Sequence, residues 1–253
     1  VEAFGAYDTG HDLSPRFWHT PNMSFLEDAR QCDPDSPVLP FVAPDLTASV
    51  ACSRTYLAKM ARELGKPEKI AESWERKSAA STAVLRRECY DKADDDAEFA
   101  HALERYLLNT RKSFARYPFT SIAMDDPRYD PHQEYNTWAG TSNFLSLIRA
   151  PHAFEHHRRD VELNWVVQPI LGALSHAKRF PQNLNPWNGE EGFTEVYSPA
   201  ILCFLDFVER TSGILPRPAD ILWFTGLTPS QIEGTERAGV STTYTRTVGE
   251  HLF

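Results

Sequence analysis

The stretch "APDLTASVACSRTYLAKMARELGK", Ala43–Lys66, decides the fold class. Val50, Leu57, Met60, Ala61 and Leu64 recur near helical spacing, so Thr47–Leu64 predicts an amphipathic helix, with Gly65 as its stop. Working outward, the same signs recur. Pro67 opens a second helix, to about Tyr90, in which Ile70 and Trp74 share a face, as do Val84, Leu85 and Cys89. Asp94–Asp96 caps a third, running to about Arg116 through Phe99, Leu103, Tyr106 and Leu107. A fourth starts near Thr137 and ends before Pro151. A fifth covers His152–Ala177, with Leu163, Val166, Val167, Ile170 and Leu174 on one side and Pro169 as a point of kinking. A sixth spans Ser198–Thr211 and ends at Gly213. Beyond Pro218, "DILWFTGL" and "STTYTRTVGEHLF" read as β-strands. The chain is therefore expected to be mainly α, with helical hairpins over 1–215 and a short β appendage over 216–253.

Composition narrows the function. The 253 residues are 42% hydrophobic and 24% charged, which suits a globular chain with a sizeable core. The net charge of −9, from 26 basic and 35 acidic residues, argues against nucleic acid and anionic membrane surfaces and favours an uncharged partner. No run approaches the roughly 18 apolar residues of a membrane span. The cysteines at 32, 52, 89 and 203 form no CxxC pattern, and Cys52, Cys89 and Cys203 read as small core residues. The compartment is left open. The beginning "VEAFGAYDTG" has no initiator Met and no signal pattern, which suggests a processed or truncated chain.

Loops carry the chemistry. Three are long, at residues 5–46, 117–136 and 180–198, and each holds carboxylates and aromatics. Glycosidic hydrolysis needs two carboxyl groups, one to protonate the leaving oxygen and one to activate water or attack the sugar. The acid needs a raised pKa, which a partly dehydrated aromatic wall supplies. Asp12 has Tyr7, Phe17 and Trp18 near it in sequence, and Glu195 has Trp187, Phe193 and Tyr197. The residues alone leave other readings open. Asp12 also suits a solvated loop, a helix cap or an ion pair with Arg16, and Glu190 and Glu191 rival Glu195. Asp125–Asp126 before Pro127 suits a turn cap. His152 and His156 stand at zinc-like spacing but lack a neighbouring Glu and a third ligand, so a solvated helix end is expected. "DKADDDAEF" lacks the glycine and terminal Glu of a calcium loop.

Four segments together resemble the α/α-toroid glycoside hydrolases of the trehalase, processing glucosidase I and mannosylglycerate hydrolase clan. "DTGHDLSPRFW" resembles the "ESGWDxSxRW" signature, which implies that Asp12 is the general acid, with His11, Arg16 and Trp18 beside the substrate. Ala43–Lys66 resembles the clan's "DLNALL" helix and implies a sugar contact at Asp45. "DDPRYDPHQEYNTWAG" resembles "DPxFxPxxYWRGPVW", placing Trp138, and with it Asp126, in the cleft. "GFTEVYSPA" resembles "FYExYxPxTG" and implies that Glu195 is the general base, with Trp187 and Tyr197 bounding the sugar.

The segments occur in the clan's order. The resemblance implies an inverting hydrolase of an α-linked glucoside or mannoside, with an oligosaccharide or small glycoside as substrate and no cofactor or metal. It also implies a partial toroid, whose first hairpins would precede Val1 or be completed by another chain. Departures bear on activity. Asp8 and His11 replace the signature's Glu and Trp, Ala139 replaces the Arg of "WRG", and the Phe-Ser-Trp segment expected after the base is missing. These favour the alternative of an inactive carbohydrate-binding or scaffolding relative. A polysaccharide lyase would need a basic cleft, and an α-solenoid would leave the three long loops apart.

Overall fold

The computed structural model describes residues 2–3, 14, 41–88, 95–132, 138–217, 221–224, 247–248 and 251–252. Among these the chain is mainly helical, and it divides into two compact units, 1–105 with 136–139 and 106–135 with 140–253.

In the first unit, β1 (Glu2–Ala3) pairs antiparallel with β2 (Phe41–Val42), which leads into α1 (Pro44–Glu63). Helix α1 ends as Gly65 predicts. Gly65 takes φ +61°, Lys66 N–H reaches the Ala61 carbonyl at 2.9 Å, and Gly65 N–H reaches that of Arg62 at 2.9 Å. The chain then turns into α2 (Glu68–Glu88), and the two helices form a hairpin.

Its buried seam differs from the expected stripe. Thr47, Ala51, Ala58, Ala61, Ala71 and Ser78 are buried, whereas Leu57, Met60 and Leu64 are exposed. Small residues let the two backbones approach, and polar groups then cross the seam. Ser78 Oγ donates to the Ala51 carbonyl at 2.8 Å and lies 3.0 Å from Thr55 Oγ1. Arg62 bridges Glu75 at 2.6 Å and Glu68 at 2.7 Å. Cys52 faces solvent on α1, against the expectation of a core residue, because that seam uses the opposite side of the helix.

The third helix is shorter than expected. It comprises α3 (Asp95–Ala102) and one π-helical turn, Leu103–Leu107. Asn109 Oδ1 then accepts the Arg111 N–H at 2.9 Å, a side-chain turn that competes with helix continuation.

In the second unit, the expected fourth helix is largely replaced. Gly140 (φ +156°) precedes β3 (Ser142–Asn143), and only α4 (Phe144–Leu147) is helical. Asn143 caps α4 by accepting the Leu145 N–H at 2.9 Å. The expected fifth helix is two, α5 (Ala150–His156) and α6 (Asp160–His176). Pro151 sits in the first turn of α5 rather than ending the helix before it, and Arg158 breaks the run at φ +55°.

The buried face of α6 is the predicted one, Leu163, Val166, Val167, Ile170 and Leu174. Strands β4 (Asn183–Leu184) and β5 (Glu191–Gly192) join β3 in the order β3-β4-β5, all antiparallel. Helix α7 (Ser198–Ser212) ends at Gly213 (φ +86°) and passes directly into β6 (Ile214–Arg217), paired with β7 (Ile221–Phe224). A short pair, β8 (Thr247–Val248) and β9 (His251–Leu252), follows. Arg210 of α7, 0% exposed, pairs with Asp206 at 2.7 Å and with Glu155 of α5.

Candidate functional site

The loops 117–132 and 180–198 meet within the second unit. Residues Asn185–Glu190 form a closed turn between β4 and β5, since Asn185 N–H donates to the Glu190 carbonyl at 2.8 Å and Gly189 N–H to that of Asn185 at 2.9 Å. Asn185 Oδ1 also accepts the Trp187 N–H at 3.0 Å, and Asn188 Oδ1 accepts the Glu190 N–H at 2.9 Å. Gly189 (φ +76°) leaves room for the Tyr117 ring, which a Cβ there would meet at 3.0 Å. Tyr117 N–H in turn donates to the Pro186 carbonyl at 2.9 Å.

From the other loop, the Tyr129 hydroxyl accepts the Trp187 indole N–H at 3.0 Å, and His132 Nδ1 lies 3.3 Å from Asn185 Nδ2. The Tyr129 ring lies where a Cβ on Gly140 would stand, at 2.8 Å. Burial pushes the Tyr129 phenol above its ordinary pKa, opposed by the Trp187 N–H, so the hydroxyl stays protonated at neutral pH.

The sheet beneath this turn is polar. Asn143, Asn183 and Gly192 share one row of the register, and a Cβ on Gly192 would stand 2.2 Å from Asn183 Oδ1. Asn143 Nδ2 is a buried donor with no partner among the described residues.

The structure sets Glu191 apart from Glu195 but leaves Glu190 as its rival, since both of these are exposed. Glu191 is a loop anchor, with Oε1 accepting the Lys178 N–H at 2.9 Å and Oε2 the Arg179 Nε–H at 3.0 Å. Glu195 is exposed, and its carboxylate has no partner among the described residues. Its backbone is fixed, because the Glu195 carbonyl accepts the Phe180 N–H at 3.0 Å and Tyr197 N–H donates to the Phe180 carbonyl at 2.8 Å. Trp187 and Phe193, the aromatics expected to wall Glu195, are each 49% exposed, so neither is the dehydrated surface the sequence suggests.

The other expected contacts differ in kind. Asp126 has both oxygens held by Arg128, at 2.9 and 2.8 Å, and this hydrogen bonding lowers its pKa to about 2. Asp45 lies half-buried in the first turn of α1, where a carboxylate complements the helix dipole. Trp138 is 3% exposed, so a sugar ring reaches its face only if what covers it moves. Tyr197 is the N-cap residue of α7. Asp12, His11, Arg16 and Trp18 lie outside the described residues, and Ser14 between them is buried.

No family model matches the sequence, and no curated protein does. Among solved structures, the chain is similar to a GH63 mannosylglycerate hydrolase from Thermus thermophilus. With that enzyme bound to glucose, the identity is 17%, the TM-score 0.46, and the match covers 64% of this chain and 44% of the other. With Tris and D-glycerate bound, the identity is 16%, the TM-score 0.48, and the coverage is again 64% and 44%. An uncharacterized conserved protein of the same organism matches at 17% identity and TM-score 0.46, over 64% of this chain and 45% of that one. The chain thus spans less than half the length of these structures, and similarity at this level assigns neither a family nor an activity.

Sequence reasoning named Trp187 but not Tyr129, Asn185 or Tyr117, which fix its loop. The legible signals were the Pro-flanked tyrosine in "DDPRYDP" and the Asn-Pro-Trp-Asn-Gly turn.

Proposed function

We propose that the chain is part of an inverting α-glycoside hydrolase acting on an α-linked glucoside or mannoside. Asp12 donates a proton to the leaving oxygen, and Glu195 takes one from the attacking water. Asp45 and Arg16 hold hydroxyls or tune the acid, and Trp187 and Tyr197 bound the sugar. The observation that carries the reading is the convergence of two long loops, each bearing one of the resembling segments. Tyr129 meets Trp187, and His132 meets Asn185, next to the strand that leads to Glu195. An α-solenoid would leave the three long loops apart; two of them meet here, and most of the third, 5–46, lies outside the described residues. The general base needs no dehydration, only ionisation and access to water, so an exposed Glu195 suits that role.

The test is release of mannose or glucose from α-mannosides and α-glucosides, with the first-formed anomer followed by NMR. Inversion delivers the β-anomer first. Asp12→Asn and Glu195→Gln should each lower turnover by about 10²–10⁴-fold. Unchanged turnover in either variant removes that residue from the mechanism. Absence of turnover in the unsubstituted protein favours the second reading, a carbohydrate-binding relative, which the half-exposed Trp187 also suits.

A further inference from the structure

We propose that Trp187 is a preset stacking platform for a neutral pyranose ring, and that Tyr129 is the positioning residue that sets it. The choice of a sugar rests on the glycoside reading above, whereas the platform stands on its own geometry. An indole has one polar atom, its N–H, which in a half-exposed tryptophan would ordinarily face water. Here that N–H is engaged by the Tyr129 hydroxyl at 3.0 Å, in a residue that is 49% exposed. What Trp187 offers to solvent is therefore the apolar part of its ring.

The ring is held by that one bond, and the turn that carries it and the tyrosine that holds it are themselves anchored. Asn185 holds the Trp187 backbone N–H, Gly189 packs on Tyr117, and Tyr129 is itself lodged against Gly140. A surface ordered before its ligand arrives loses less conformational entropy on binding. A pyranose suits such a plane. Its C–H face covers an indole, and its equatorial hydroxyls point outward to edge groups such as the exposed Asn188 and Glu190 of the same turn. Glu190, in the same turn as Trp187, is an exposed carboxylate without a described partner, which favours an uncharged sugar over a uronate.

The experiment follows the Trp187 indole N–H cross-peak in ¹H–¹⁵N spectra of the full chain, assigned by its loss in Trp187→Phe. The probes are methyl α-D-mannopyranoside, methyl α-D-glucopyranoside and methyl α-D-glucuronide. The neutral glycosides should shift the peak saturably, and the glucuronide should bind more weakly. Tyr129→Phe keeps the ring under Gly140 but removes the acceptor. It should move the free indole signal and weaken glycoside binding by about three- to tenfold.

An unmoved Trp187 signal at saturating glycoside overturns the platform. Equal affinity in Tyr129→Phe overturns the positioning role, and equal binding of glucuronide overturns the preference for neutral sugars. The two readings fail separately. Saturable binding without turnover sinks the hydrolase and keeps the platform. Turnover with KM and kcat unchanged in Trp187→Phe does the reverse.

Discussion

Two residues show how local chemistry decides a side chain's use. Asp126 sits in a turn where Arg128 supplies a backbone N–H at 2.9 Å and a two-point guanidinium contact. These hydrogen bonds favour the charged form and lower its pKa from the ordinary 3.8 to about 2. A lowered folded-state pKa stabilises the fold above the unfolded value and ceases to do so as pH falls through the folded one. The stability gap between the unsubstituted chain and Asp126→Asn should therefore be constant above about pH 4 and shrink toward pH 2, as read by urea midpoints. A gap independent of pH would show that the carboxylate charge contributes nothing.

Cysteine reactivity makes the second case. Burial first, and Asp206 second, push the Cys203 thiol well above its usual range, whereas Cys52 is exposed on α1. A maleimide pulse read by peptide mass mapping should label Cys52 in the native protein and Cys203 only after unfolding. The sequence did not distinguish these two, because a cysteine within a helical pattern looks the same on either face.

At the scale of elements, one buried cation ties two helices together. Arg210 joins Asp206 on α7 to Glu155 on α5 and is itself 0% exposed. Removing it leaves two carboxylates partly out of water without their counter-charge. Arg210→Ala should cost about 3–5 kcal/mol of stability by chemical denaturation, with Glu155→Gln costing less because an amide oxygen can still accept. Equal and small losses would reduce the cluster to a surface pair.

The helices that bury long aliphatic side chains were the legible ones. Leu163, Val166, Val167, Ile170 and Leu174 mark the core face of α6 without ambiguity. Helix α1 misled because it carries two stripes, and the hairpin uses the small one, Ala51, Ala58 and Ala61. Periodicity tells which residues share a face, not which face meets a neighbour. The break before α6 was hidden for a different reason. It takes a left-handed Arg158, where a glycine would have announced it. The site was legible only in part, since the Trp187–Tyr129 bond joins residues 58 positions apart and no local pattern encodes such a pairing.

At the scale of the whole molecule, charge and exposed apolar surface act against each other. Tyr56, Leu57 and Met60 on α1 and Leu64 at its C-cap are exposed, as are Val161 and Trp165 on α6 and Leu202, Leu205 and Val208 on α7. Apolar stripes of this kind favour association when chains come close. A net charge of −9 opposes close approach at neutral pH. The two effects respond differently to solution conditions. Lowering pH toward the isoelectric point of about 5.5 removes net repulsion and leaves the apolar stripes unchanged. Added salt at pH 7 screens the same repulsion, over a Debye length of about 10 Å at 0.1 M. Light scattering should therefore rise as pH falls from 7.5 to 5.5, and should rise at pH 7.5 when salt is added. Replacing Leu57 and Met60 with Lys or Glu should lower both responses, if α1 supplies the contact. A rise with acid that salt fails to reproduce would point instead to a titrating group, because screening and neutralisation act alike only on net charge.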